Sequence, residues 1–265
     1  MKYYFISDIH GYFDEMQKCL KQAGYNENDA NSKLIVVGDI FDRGTQAVET
    51  YKYLKRLTDE GKVIVLYGNH HKFLIDFLEG TNESPFNYNY NGLDETLADF
   101  WHRTMPFESY CLFDADCDID TSENFKKFAK VCRNDINKEF PDLLPWLKSM
   151  PRYFETDNII ATHGALDFDV PDWHFPEKER YNLKGWDALD FDDGSFILRK
   201  NKTGKKVIVG HFGTGQLRGM HGIGSNQDFS ILKTKDNKYF IDGCVPHTNK
   251  INVLVLEDEN NSRQD

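Results

Sequence analysis

Lys33-Leu34-Ile35-Val36-Val37-Gly38-Asp39-Ile40-Phe41-Asp42-Arg43-Gly44 carries the signal that decides the fold. Leu34 to Val37 is an unbroken, β-prone apolar run, and Gly38-Asp39 ends it abruptly. A strand apolar on both faces belongs to a sheet covered on both sides. The same phrase stands on either side of this one. Upstream, Lys2 to Ser7 leads into Asp8-Ile9-His10-Gly11 and then a helix over Phe13 to Ala23, with apolar Phe13, Met16 and Leu20 at helical spacing. Downstream, Val63 to Tyr67 leads into Gly68-Asn69-His70 and a helix over Phe73 to Leu78, and Ala47 to Leu57 is helical between the two. Strands about thirty residues apart with helices between them predict an α/β sheet. Its loops leave the carboxyl ends of the strands and meet in one crevice.

From about 80 to 150 the rhythm stops. An Asn/Tyr-rich loop, Asn87 to Gly92, precedes helices near Leu93 to Trp101, Ser122 to Val131 and Leu143 to Lys148, which together read as an inserted helical cap. Strands return at Asn158 to Thr162 and Lys206 to Val209, delivering His163 and His211 at their ends. Lys238 to Ile241 and Ile251 to Leu256 read as an antiparallel pair closing a second sheet. The expectation is one domain over 1–256, containing the cap at about 80–150, and a flexible acidic tail over 257–265.

The 265 residues are 40% hydrophobic and 14% aromatic, enough for a sizeable core. A net charge of -11 and a pI near 5.3, with no Lys/Arg cluster, exclude a nucleic-acid polymer as partner, because binding one requires a basic, counterion-releasing surface. The apolar run Tyr3 to Ile6 meets Asp8 before it reaches the length of a secretory core or membrane span. Five cysteines (Cys19, Cys111, Cys117, Cys132, Cys244), without paired short spacings, fit reduced thiols. A cytoplasmic protein that does not engage a membrane is expected.

The strand ends collect Asp8, His10, Asp39, Asn69, His163 and His211, a donor set suited to Mn, Fe, Zn or Mg. Asp39 is the bridging carboxylate, because its strand lies between those delivering Asp8 and Asn69. Asp8 and His10 complete one ion, and Asn69, His163 and His211 the other. Two ions roughly 3.5–4 Å apart activate a bridging water and neutralise charge in an in-line displacement at phosphorus. His70, supported by Asp42, is placed to protonate the leaving oxygen. Arg43 offers a planar fork to the phosphate.

Asp8-Ile9-His10-Gly11, Gly38-Asp39-Ile40-Phe41-Asp42-Arg43-Gly44, Gly68-Asn69-His70, Thr162-His163-Gly164 and Gly210-His211 together resemble the ordered motifs of the calcineurin-like metallophosphoesterases. The Asp42-Arg43-Gly44 tail resembles the branch holding the serine/threonine phosphoprotein phosphatases and the symmetrical diadenosine tetraphosphatases. Gly213 stands where many other metallophosphoesterases carry a second histidine ligand. The resemblance covers about residues 1–80 and 155–256. It implies a four-layer α-β-β-α sandwich of two mixed sheets with the metals at one edge, and Mn as the first choice of ion. It assigns metal roles to Asp8, His10, Asp39, Asn69, His163 and His211, the proton-donor pair to His70 and Asp42, and phosphate contact to Arg43. Three departures stand out. His71 replaces the family's usual Glu, Trp186-Asp187-Ala188 lacks a second phosphate-binding Arg for which Arg180 or Arg199 would have to substitute, and the cap carries no recognisable substrate signature.

Other features read more plainly. Asp114 to Asp120 is a solvated acidic loop, since Ile119 and Phe125 stand where a calcium loop needs Gly and Glu. His71, His221 and His247 are ordinary polar residues, with His221 in a flexible loop. Phe86, Tyr88 and Tyr90 either stack on a substrate ring or pin the cap to the body. The expected function is hydrolysis of phosphomonoesters, including phosphoserine or phosphothreonine protein. The alternative is a symmetrical dinucleoside tetraphosphate or another nucleotide, and the remaining reading is an inactive metal-binding scaffold.

Overall fold

The computed structural model describes residues 1–81, 85–102, 123–175 and 188–258. Its first half follows the predicted rhythm through β1 (Lys2–Ile6), α1 (Phe13–Gln22), β2 (Ser32–Val36), α2 (Ala47–Asp59), β3 (Val63–Val65) and α3 (Asn69–Glu79). The helical insert contributes α4 (Pro85–Tyr90), α5 (Leu93–Trp101), α6 (Glu123–Glu139) and α7 (Leu143–Lys148). The second half adds β4 (Tyr153–Glu155), β5 (Ile159–Thr162), β6 (Lys206–Val209), α8 (Thr214–His221), β7 (Leu232–Lys233), β8 (Lys238–Phe240), α9 (Val245–Thr248) and β9 (Leu254–Glu257).

Two mixed sheets result, ordered β3-β2-β1-β9 and β4-β5-β6-β8-β7. The two-residue period of a strand divides their side chains between faces. Phe5, Ile35, Val37, Ile159, Ala161 and Ile208 form the layer between the sheets. Tyr4, Ile6, Leu34 and Val36 turn outward into a cluster with α1, α2, α3 and the insert. Ile160, Val207 and Val209 turn outward on the other side, where Leu217 of α8 and the segment holding Leu189 and Phe196 cover them. The four-layer α-β-β-α arrangement is therefore present.

Several expectations are corrected. β8 and β9 do not pair: β8 lies parallel to β6 and antiparallel to β7, whereas β9 runs antiparallel to β1 in the first sheet. Without β9, β1 would present a row of unpaired backbone groups at the sheet edge. The tail boundary at 257 is too early, since Glu257 closes β9 and Asp258 is buried with its carboxylate accepting the Asn158 amide at 2.6 Å. Residues 259–265 lie outside the described residues. α3 begins at Asn69 and not at Phe73, because Gly68 in extended conformation serves as its N-cap. Asn87 to Tyr90 of the Asn/Tyr-rich stretch fall in the short helix α4, and α6 continues eight residues beyond the expected Val131 to Glu139.

Candidate metal centre and cleft

Asp8, His10, Asp39, Asn69, His70, His163 and His211 come from five strand ends and meet at one crevice. His163 lies at its floor, fully buried. Its Nδ1–H donates to the Val37 carbonyl at 2.9 Å, which turns Nε2 toward the Asp39 carboxylate (3.1 Å) and Asn69 Oδ1 (3.0 Å). His211 Nδ1 lies 3.0 Å from the same Asn69 oxygen and 3.3 Å from His163 Nε2. His10 is oriented in the same manner, with Nδ1–H donating to Phe41 C=O at 2.8 Å. Imidazoles pinned through one nitrogen present the other as a ligand.

The glycines of the motifs follow from this crowding. A Cβ on Gly38, whose φ is +83°, would lie 2.2 Å from His163 Nδ1, and one on Gly68 would lie 2.3 Å from Asp39 Oδ1. Asp8, His10, Asp39, Asp42, Arg43 and His211 all hold positive φ between 42° and 75°. Non-glycine residues in that region cost about 1–3 kcal/mol each and persist where the surroundings over-determine them, characteristically at functional sites.

The donor set fits divalent cations. Two groups qualify among the described residues, His10–Asp39–His70 and Asp39–His163–His211, each with ligand atoms within 4.8 Å of one another. Asp39 belongs to both. Asp8 lines the same crevice, where its Oδ2 accepts the His211 backbone N–H at 3.0 Å. The electrostatics point the same way. Burial and the neighbouring Asp242 push the Asp8 carboxyl well above its ordinary range. Burial opposes charge on His163, yet the Asp39 and Asp8 carboxylates raise it to about 10. Burial also raises Asp39, but His163 and His70 hold it well below the usual carboxylate range. Burial and His163 lower His211 to about 3, and burial, then His70 and Arg43, lower His10. Carboxylates and imidazole lone pairs buried together demand a positive charge at their centre.

At the edge of this group His70 Nδ1–H donates to Asp42 Oδ2 at 2.6 Å, both side chains being buried. Arg43 Nη2 donates to His70 Nε2 at 3.4 Å, and Arg43 is exposed toward the cleft. His71, in place of the family's Glu, serves as the capping acceptor for α3, its Nδ1 taking the Gly68 N–H at 2.9 Å. Burial lowers it to about 4 and keeps it neutral.

The crevice opens into a cleft of about 800 Å³. Beyond the strand-end residues, its wall carries the aromatics Tyr12, Tyr90, Phe191 and Phe212 and the carboxylates Asp94, Glu95, Asp192, Asp193 and Asp242. Burial, then Glu95, raises Asp94 to about 7, and burial raises Asp192 and Asp242 to about 6. Sequence reading missed Asp242, although Ile241-Asp242-Gly243 repeats the pattern of an acid just past a strand end. It had no signal for Phe191, whose ring packs 4.5 Å from that of His211. His247, taken as an ordinary polar residue, lines the cleft. His221 ends α8 and bonds to the Gly194 carbonyl, so it is not in a flexible loop. The aromatic trio divides: Tyr88 is buried against Phe125 and Phe128 inside the cap, while Phe86 and Tyr90 are exposed. Arg199 donates to Ser195 and does not line the cleft. Arg180, Trp186-Asp187 and Asp114 to Asp120 lie outside the described residues, as do Cys111 and Cys117, while Cys19, Cys132 and Cys244 are buried thiols. Among the described residues no helix is long and apolar enough to cross a membrane.

Comparison with known proteins places this site in a family. An asymmetrical bis(5'-nucleosyl)-tetraphosphatase of Bacillus velezensis is 33% identical over 64% of this chain, and a symmetrical bis(5'-nucleosyl)-tetraphosphatase of Shewanella frigidimarina is 34% identical over 73% of it. The chain spans only 58% and 54% of the lengths of these two relatives. A cold-active protein-tyrosine phosphatase of a psychrophilic Shewanella shares the fold, with a TM-score of 0.55 at 17% identity over 97% of this chain and 75% of that one. The model of the calcineurin-like phosphoesterases matches residues 1–233, and the chain belongs to that family.

Proposed function

We propose that the chain hydrolyses a phosphoanhydride bond of a dinucleoside tetraphosphate, using two divalent ions held by the strand-end residues. The observation that carries this reading is the meeting of His163 Nε2, His211 Nδ1, Asn69 Oδ1 and Asp39 Oδ2 from separate strand ends, beneath a cleft of about 800 Å³ with aromatic walls. The relatives named as bis(5'-nucleosyl)-tetraphosphatases support the substrate class. In this proposal Asp8, His10 and Asp39 hold one ion, and Asp39, Asn69, His163 and His211 hold the other. Mn is the first choice, with Fe, Zn and Mg compatible with the donors. Such ions supply Lewis acidity and a water nucleophilic at neutral pH.

The chain's own side chains do the rest. Arg43, exposed at the cleft beside the centre, is the phosphate fork. Its movement onto phosphate releases His70 Nε2 to hold the proton that goes to the leaving oxygen, and Asp42 fixes the ring. Tyr90, Phe191 and Phe212 offer faces for bases. A specific observation favours a second reading, a phosphomonoester: Asp94, Glu95, Asp192 and Asp193 line the cleft, and among the described residues Arg43 is the one Lys or Arg that lines it. A substrate with fewer phosphates meets less repulsion there.

The test is metal content together with turnover of diadenosine tetraphosphate and para-nitrophenyl phosphate, before and after chelation and Mn restoration. About two ions per chain and Mn-dependent, preferential cleavage of the dinucleotide are expected. Preferential cleavage of the aryl ester instead moves the assignment to the monoester, and a chain that binds no metal under metal-replete conditions defeats both. Asp39→Asn should lose ions and activity together; retention of two ions would remove its bridging role.

A further inference from the structure

The insert does more than roof the cleft. α5 and its N-cap Gly92 are fastened by two hydrogen bonds to the loop that carries Asp42 and Arg43 and by a third to the first turn of α2. The Arg43 N–H donates to the Gly92 carbonyl at 2.9 Å, the Asp42 N–H to Thr96 Oγ1 at 2.8 Å, and the Val48 N–H to Asp99 Oδ2 at 2.8 Å. The contact is tight, since a Cβ on Gly92, where φ is +81°, would lie 2.5 Å from the Arg43 nitrogen. Asp42 and Arg43 themselves hold φ of 75° and 73°, a conformation that needs outside support. Thr96 is completely buried, and its hydroxyl reaches Asp42 across 54 residues of sequence.

We propose that Thr96 is a positioning residue for the reaction: its hydroxyl holds the Asp42 backbone, and through it the Asp42–His70 pair, in the geometry required for protonating the leaving group. The insert is then part of the catalytic apparatus, whatever substrate it also covers. This rests on the proton-donor role proposed above for His70.

Thr96→Val keeps shape and removes the acceptor. In the Mg-loaded protein the test compares kcat on phenyl and para-nitrophenyl phosphate, and follows the downfield NMR resonance of the short His70–Asp42 hydrogen bond. A loss of about tenfold on the poor leaving group is expected, with little change on the good one, since only the former needs an acid in the transition state. The resonance should weaken, Thr96→Ser should restore both readouts, and Thr96→Val should add nothing in a His70→Gln background. Equal losses on both esters that persist in that background, or an unchanged resonance, would overturn the proposal. If His70→Gln itself shows no leaving-group dependence, the acid role of His70 fails, while the resonance still decides whether Thr96 holds the pair.

Discussion

At the residue scale the site is built from side chains that the sequence marks and a few that it does not. Asp8, Asp39, Asn69, His163 and His211 were legible because each follows an apolar strand, mostly across a glycine, and the crowding at Gly38 and Gly68 shows why no side chain fits there. Asp192 and Phe191 were not legible, because they reach the cleft from an irregular segment without periodicity. His71 is instructive in another respect, as a neutral imidazole doing the capping work of a carboxylate. Its pKa of about 4 lies below the roughly 6.5 of an unfolded chain. The unfolded state therefore binds more protons between these values. The His71 contribution is complete above about pH 6.5 and is lost as pH falls toward 4, by about 3 kcal/mol in all. Urea unfolding at a series of pH values should show His71→Gln with a flatter profile than the parent across that window; parallel profiles would place the acid sensitivity elsewhere.

At the scale of elements, type was easier to read than extent. α1, α2 and α5 lie close to where apolar spacing put them. α3 starts earlier, since its first turn is occupied by Asn69, His70 and His71, polar residues that periodicity does not count. Short β7 and the 3₁₀ turn Phe196–Leu198 carried no pattern long enough to detect. That turn depends on one lysine. Lys238, buried on β8, donates its ammonium to the carbonyls of Phe196, Ile197 and Arg199. Its aliphatic stem suits the interior and its three protons match three acceptors. Lys238→Met preserves the stem and removes these donors, and should lower unfolding free energy by about 2–4 kcal/mol in urea titrations. A change below about 0.5 kcal/mol would mean that water replaces the ammonium without loss.

At the scale of the whole molecule, strand patterns suggested a second sheet but assigned it the wrong strand pair, and the four-layer packing was implied by family resemblance alone, because nothing in a single strand says which sheet receives it. β9 makes the point, since its alternation fits either sheet and only the vacant edge of β1 decides. That pairing joins Lys2 to Glu257 and Phe5 to Leu254. Seen in the order of synthesis, β1 must wait for β9. While the residues between them are being added, the edge of β1 is a row of open donors and acceptors on an emerging chain, and protection arrives only when residue 257 clears the ribosome. A chain stopped at residue 250 should consequently scatter light on release from the ribosome where the longer chain stays dispersed. Equal dispersal of the two would show that the nascent edge is guarded by something other than its distant partner.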